Sequence, residues 1–303
     1  MSSNQINKNI NIKNILPNNI SKTQWQSVAD ATKPVSNKVA VADLNAKKRA
    51  ERKLEQEIAS LKNFINENVA ETWLEYQKQF PEAFENNSRL KRMTPQVIFY
   101  GKVEDIQKQF PDITSGTVAF VCSAEPNRIY FNITLNLDDI KKIGSKEIKA
   151  TIAHELMHSL NNNTINRIQN DLKGKELSYK DVRRDLNQMF TLPYIGHKNE
   201  NIIFSVADLL KEGSADILSI NAIGQESQHT PYKPFREISK KLLQRVTLRT
   251  YKKAFLENDS AAYMSVIKAA LELKTVYDRY YNKHIRSNPF KRVINRVFKD
   301  LNL

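Results

Sequence analysis

The chain has one cysteine, Cys122, in 303 residues. It therefore forms no internal disulfide, and a zinc module built on cysteine pairs does not fit it. Seven glycines exclude collagen-like, glycine-linker and propeller patterns. No apolar run reaches the ~18 residues of a membrane span. The opening Met-Ser-Ser-Asn-Gln-Ile-Asn-Lys has no apolar stretch of signal-peptide length, so a general secretory signal is not expected. These absences suit a cytoplasmic protein, or one secreted by a signal-less route into a host or target cell.

Forty-seven Lys and Arg stand against 33 Asp and Glu, a formal charge of +14. The excess is uneven. Residues 1–50 hold 8 basic and 2 acidic side chains, and residues 251–303 hold 11 and 5. The middle is nearly neutral. Basic ends attract nucleic acid, anionic membrane or acidic partners, but they are also what a solvated tail and a solvated helix face look like. The aromatics are not interleaved with the charge as a stacking platform requires, so no specific nucleic-acid partner is expected.

Along the chain, residues 1–45 are rich in Asn, Ser and Lys without a period, and read as a disordered polar leader. Leu54, Ile58, Leu61, Ile65, Val69 and Trp73 then fall at helical spacing, which predicts one helix from Ala46 to Gln79, stopped by Pro81. Val97–Tyr100 reads as a buried strand and Val103–Phe110 as a short helix. Residues 117–122 and 128–133 read as an antiparallel hairpin. Ser145 to Leu160 reads as a helix with the ridge Ile148, Ile152, Leu156 and Leu160, leaving at Asn161-Asn162-Asn163. Residues 163–200 read as a charged helical insertion. Further helices are expected over 205–222, 235–257, 260–285 and 290–301. The domain expectation is leader 1–45, catalytic domain 46–222 and helical C-terminal subdomain 223–303.

Two of the five histidines lie in His154-Glu155-Leu156-Met157-His158. On a helix, positions i and i+4 share a side, so both imidazoles can reach one metal. Glu155 projects about 100° away, which aims its carboxylate at a water on the metal instead of at the metal. The flanking Thr151-Ile152-Ala153 and Ser159-Leu160 are uncharged, and a buried polar triad needs a partner. The bland alternative is a hydrogen-bonded core cluster of two histidines and a glutamate. A catalytic zinc needs a third protein ligand. Glu212, in Lys211-Glu212-Gly213-Ser214-Ala215-Asp216, is the best candidate, the alternative being a solvated glutamate. Asp216, one turn on, is placed to take a hydrogen bond from a ligating histidine. Gly213 costs about 1 kcal/mol in a helix interior, and a small residue there would let this helix approach the His154 helix.

These two motifs resemble the gluzincin branch of the zinc metallopeptidases, the clan of thermolysin and neprilysin. The resemblance covers about residues 97–222, and its motifs define the clan and not a family within it. It implies that His154, His158 and Glu212 bind one Zn2+ per chain, that Glu155 is the catalytic base and that Asp216 supports a histidine. It also implies an α+β, zincin-like catalytic domain: a small mixed sheet with an edge hairpin beside the active-site helix, followed by a mainly helical region. The 54 positions between His158 and Glu212 exceed the thermolysin spacing and approach the neprilysin one. Lys211 stands where the thermolysin pattern carries asparagine. A third histidine soon after the helix, the metzincin pattern, is absent.

The implied activity is hydrolysis of peptide bonds in a protein or peptide substrate laid along the edge strand. Tyr194, His197, His229 and Tyr232 are candidate donors to the oxyanion, and spacing marks none of them. The polar leader has no evident part in catalysis, which suits an effector or toxin protease whose residues 1–45 load it into a delivery apparatus. An intracellular housekeeping protease and a catalytically silent zincin-fold binding protein are the alternatives.

Overall fold

The computed structural model describes residues 37–85, 87–142, 144–173, 176–193, 201–227, 233–257 and 259–284. The chain divides into two compact units, Met1–Gln56 and Glu57–Leu303. Among the described residues of the first, 37–56 are helical, and residues 44–56 are exposed.

Helix α1 spans Asn37–Gln79, so it starts earlier than the apolar period predicts. Residues 37–45, read as part of a disordered leader, are helical. Two alanines, a leucine and a lysine there are good helix formers, and so short a stretch shows no sustained period. In the second unit Leu61, Ile65, Val69 and Trp73 are buried as the stripe predicts, whereas Leu54 is exposed. The helix ends before Pro81, which opens the short α2, Pro81–Glu85. Helix α3, Ser88–Arg92, follows, capped by the Asn87 side chain.

Strands β1 (Gln96–Tyr100), β2 (Ala119–Val121) and β3 (Arg128–Asn132) form a mixed sheet in the order β1-β3-β2. The hairpin is present, with β2 antiparallel to β3 and β1 parallel to it. β2 is therefore an outer strand, shorter than expected. Alternation divides the sheet's side chains. Val97, Phe99, Ala119, Val121, Ile129 and Phe131 face the main core, while Tyr100 and Tyr130 join Ile106, Phe110, Ile113 and Phe120 in a second cluster. Ile106 comes from α4, Val103–Gln107.

Helix α5, Ile133–Lys142, leads to α6, Ser145–Lys173. The exit expected at Asn161 does not occur, and α6 continues to Lys173. Asn161 is fully buried, and its amide donates to Ser214 Oγ at 2.8 Å. A side chain so engaged does not compete with the helix for backbone partners. Helix α7, Glu176–Leu186, fits the expected insertion, but its second half does not. Met189–Pro193 is β4, paired antiparallel with β5, Asn201–Ser205. Phe190 is buried there and stacks on Phe204 at 5.4 Å, so one short apolar run in a charged segment pairs as a strand.

Helix α8, Val206–Ile223, begins with a reciprocal capping box between Ser205 and Asp208 and ends at Gly224, φ 68°. The predicted helix 235–257 is two: α9, Lys233–Arg245, and α10, Leu248–Leu256, the second capped by Thr247. Helix α11 is Ser260–His284. The helix expected at 290–301 lies outside the described residues. The molecule is mostly helical with two small sheets, which is α+β in the broad sense. One apolar core includes residues from Leu61 to Tyr277, so the C-terminal helices share it with α6 and the sheet. α6 lies at its centre, packed against α8, α10 and β2.

Candidate metal centre

Ile148, Ile152, Ala153, Leu156, Met157 and Leu160 surround α6 with apolar contacts and are buried. His154, Glu155 and His158 are 3%, 3% and 5% exposed. α8 runs beside this stretch, tied to it by the Asn161–Ser214 bond, and delivers Glu212. His154 Nε2 and His158 Nε2 lie 3.0 Å apart, and each is 3.2 Å from Glu212 Oε2. Among the described residues this is the group of histidine, cysteine and carboxylate side chains arranged to hold a metal ion.

The donor set fits zinc. Ligands at 2.0–2.1 Å around a tetrahedral ion stand about 3.3 Å from one another, close to the three separations found here. Protons alone serve the triangle poorly. Each Nε2 carries at most one proton, so satisfying the carboxylate from both rings sets two N–H groups side by side on nitrogens 3.0 Å apart. One cation satisfies all three atoms.

The outer surroundings fix His154. Its Nδ1 lies 3.4 Å from Asp216 Oδ1, and Asp216 is itself buried. Arg236 Nε of α9 donates to Asp216 Oδ2, and Arg236 Nη1 donates to Glu226 Oε1 at 2.6 Å. Arg236 escapes sequence reasoning because it sits on a helix of mixed charge that reads as a solvated face, yet it is 3% exposed. Gly213 has a different role from the one expected. A Cβ there would meet Ser239 Oγ at 1.9 Å, so the glycine admits α9 and not the His154 helix. Tyr76 of α1 adds a further support, its hydroxyl donating to the Ala153 carbonyl at 2.6 Å.

These neighbours set the charges. Burial opposes protonation of His154, but Asp216 and Glu212 outweigh it and push its pKa up to about 10. Burial would raise Glu212, but His158 and His154 hold it well below the usual carboxylate range. Burial also works against Asp216, which His154 and Arg236 hold low. Glu155 differs: burial raises its pKa and the two histidines offset this only in part. Tyr100, at the end of β1, is pushed up to about 12 by burial, with the Glu155 charge adding to the effect against the Asn132 side chain. Its hydroxyl donates to Thr117 O at 3.0 Å. Nothing in the sequence marks Tyr100 as a neighbour of Glu155.

Lys211 turns toward the same centre, its Nζ 3.5 Å from Glu212 Oε1. Tyr194, His197, His229 and Tyr232 lie outside the described residues. No family model matches the chain, and neither does any curated protein or solved structure.

Proposed function

We propose that the chain is a zinc-dependent endopeptidase of the gluzincin type. The observation that carries this reading is the convergence of His154, His158 and Glu212 from two helices onto one point, beside a buried glutamate. Zinc, when bound, supplies the Lewis acid that polarises a peptide carbonyl and acidifies water. His154, His158 and Glu212 hold the ion. Asp216, held by Arg236, keeps the Nδ1 proton of His154 in place, so that Nε2 faces the site. Glu155 is the base. Its raised pKa suits a group that must take a proton and return it to a leaving amine.

The edge of the sheet supplies the place for the substrate. Asn132 N donates to Val118 O, so by the alternation of an antiparallel ladder Ala119 and Val121 turn their backbone groups outward from β2. An extended peptide pairs with such an edge, and its side chains alternate across it. α6 packs against the same strand.

The test is cleavage of an unstructured protein by zinc-loaded chain, with N-terminal mapping of the products. Glu155→Gln should keep one zinc and lose hydrolysis. Full activity in that variant would remove Glu155 from the mechanism. Zinc content with no cleavage of any unstructured protein would favour the silent zincin-fold binding protein. Delivery as an effector through residues 1–45 is a separate part of the proposal and rests on the composition of that segment. A chain lacking those residues should cleave normally and fail to be exported, and loss of cleavage would contradict it.

A further inference from the structure

The two oxygens of the Glu212 carboxylate have different neighbours. Oε2 faces both imidazoles at 3.2 Å, and Oε1 faces the Lys211 ammonium at 3.5 Å. Lys211 is 48% exposed and Glu212 21%, against 3% and 6% for the histidines. The ammonium thus stands on the solvent side of the centre.

We infer that Lys211 is a positioning residue that keeps Glu212 a one-oxygen ligand. The inference rests on the zinc reading above. A carboxylate with both oxygens free can close on a cation with one or with both. A catalytic zinc site has three protein ligands and an open position, and a second carboxylate oxygen would occupy it. An ammonium is a compact charge with three donors. Placed at Oε1, it competes with the metal for that oxygen and fixes the carboxylate with Oε2 inward. It also sets a positive charge near a bound cation, so it weakens binding while preserving the open position.

The direction of the effect separates positioning from simple support. Loss of a residue that merely stabilises the site weakens metal binding. Loss of Lys211 tightens it. The ion pair is half exposed, so the change is modest, about two- to five-fold in zinc affinity. The test uses the full chain as wild type, Lys211→Met, Lys211→Arg and His154→Ala. Zinc affinity is read by chelator competition and coordination number by the visible absorption of the cobalt-substituted protein. Lys211→Met should bind zinc about two- to five-fold more tightly and lose the strong four-coordinate cobalt absorption. Lys211→Arg should restore both. An unchanged spectrum and affinity in Lys211→Met, or weaker binding, would overturn the role of Lys211. Failure of the wild type to bind zinc, or equal binding by His154→Ala, would overturn the zinc reading itself and take this inference with it.

Discussion

At the residue scale the centre is governed by one proton. His154 has its pKa raised from 6.5 to about 10, so the metal-free chain carries a proton there across the physiological range. A raised histidine stabilises the folded chain fully below pH 6.5, and that contribution is lost as pH rises through about 10. Under the proposed zinc reading the sign reverses, because a bound ion would have to displace that proton and would bind better as pH rises. The melting temperature of chelator-treated protein should fall between pH 6.5 and 9, while the gain from added zinc widens. A parallel fall in both forms would show that His154 is not the group concerned. Arg236 gives a second prediction. Removing it takes from buried Asp216 one of its two cationic partners, leaving His154 alone, and breaking such a buried pair costs ~3 kcal/mol. Arg236→Met should show that loss in urea unfolding, with weaker zinc binding. The side chains that converge, His154, His158 and Glu212, could be picked out in the sequence because their pattern is local: two histidines one turn apart, and an acidic pair one turn apart. Arg236 could not, because its burial is decided by Asp216, twenty positions away.

At the scale of elements, the place where α8 and α9 meet decides how Glu212 and Asp216 are held. Ala has the better intrinsic helix propensity, by about 1 kcal/mol over Gly, yet Gly213→Ala should destabilise. Its Cβ would lie 1.9 Å from Ser239 Oγ and 3.1 Å from Ser239 Cβ, so Ser239 must leave its rotamer and α9 must give way slightly. Such overpacking costs typically ~1–3 kcal/mol, and it would carry Arg236, one turn from Ser239, away from Asp216. Ser239→Ala in the same chain removes the worst contact and should recover most of the loss in stability and in zinc affinity. No recovery would place the defect elsewhere. The helix expected over 205–222 matches α8 to within a residue at each end, and the structure shows local signals there, Ser205 with Asp208 at the start and Gly224 at the end. The sequence misplaced the end of α6 because the fate of Asn161 depends on Ser214, 53 positions on. It missed β4 because a five-residue strand carries too few turns of period to stand out in a charged segment.

For the molecule as a whole, the compact unit beginning at Glu57 contains His154, His158, Glu212, Glu155, Asp216 and Arg236. A chain starting at Glu57 should fold and bind one zinc as the full chain does, measured by metal content after dialysis. Loss of zinc on that truncation would show that the preceding residues support the centre. The strand at 97–100, the hairpin and the helical C-terminal region were legible in outline from period and turn residues. That the C-terminal helices share the core of α6 was not, because it depends on side chains such as Tyr251 and Phe255 meeting α6 across a long stretch of sequence.

His158 and Glu212 are 54 positions apart, in a chain whose single cysteine cannot form a bridge within it. A metal ion joining α6 to α8 would close that loop and act as the cross-link the sequence otherwise lacks. Its strength would follow zinc supply, reaching about 2.7 kcal/mol when free zinc is a hundred times the dissociation constant. The lifetime of the protein against unfolding and degradation would then report the zinc level of the compartment that holds it.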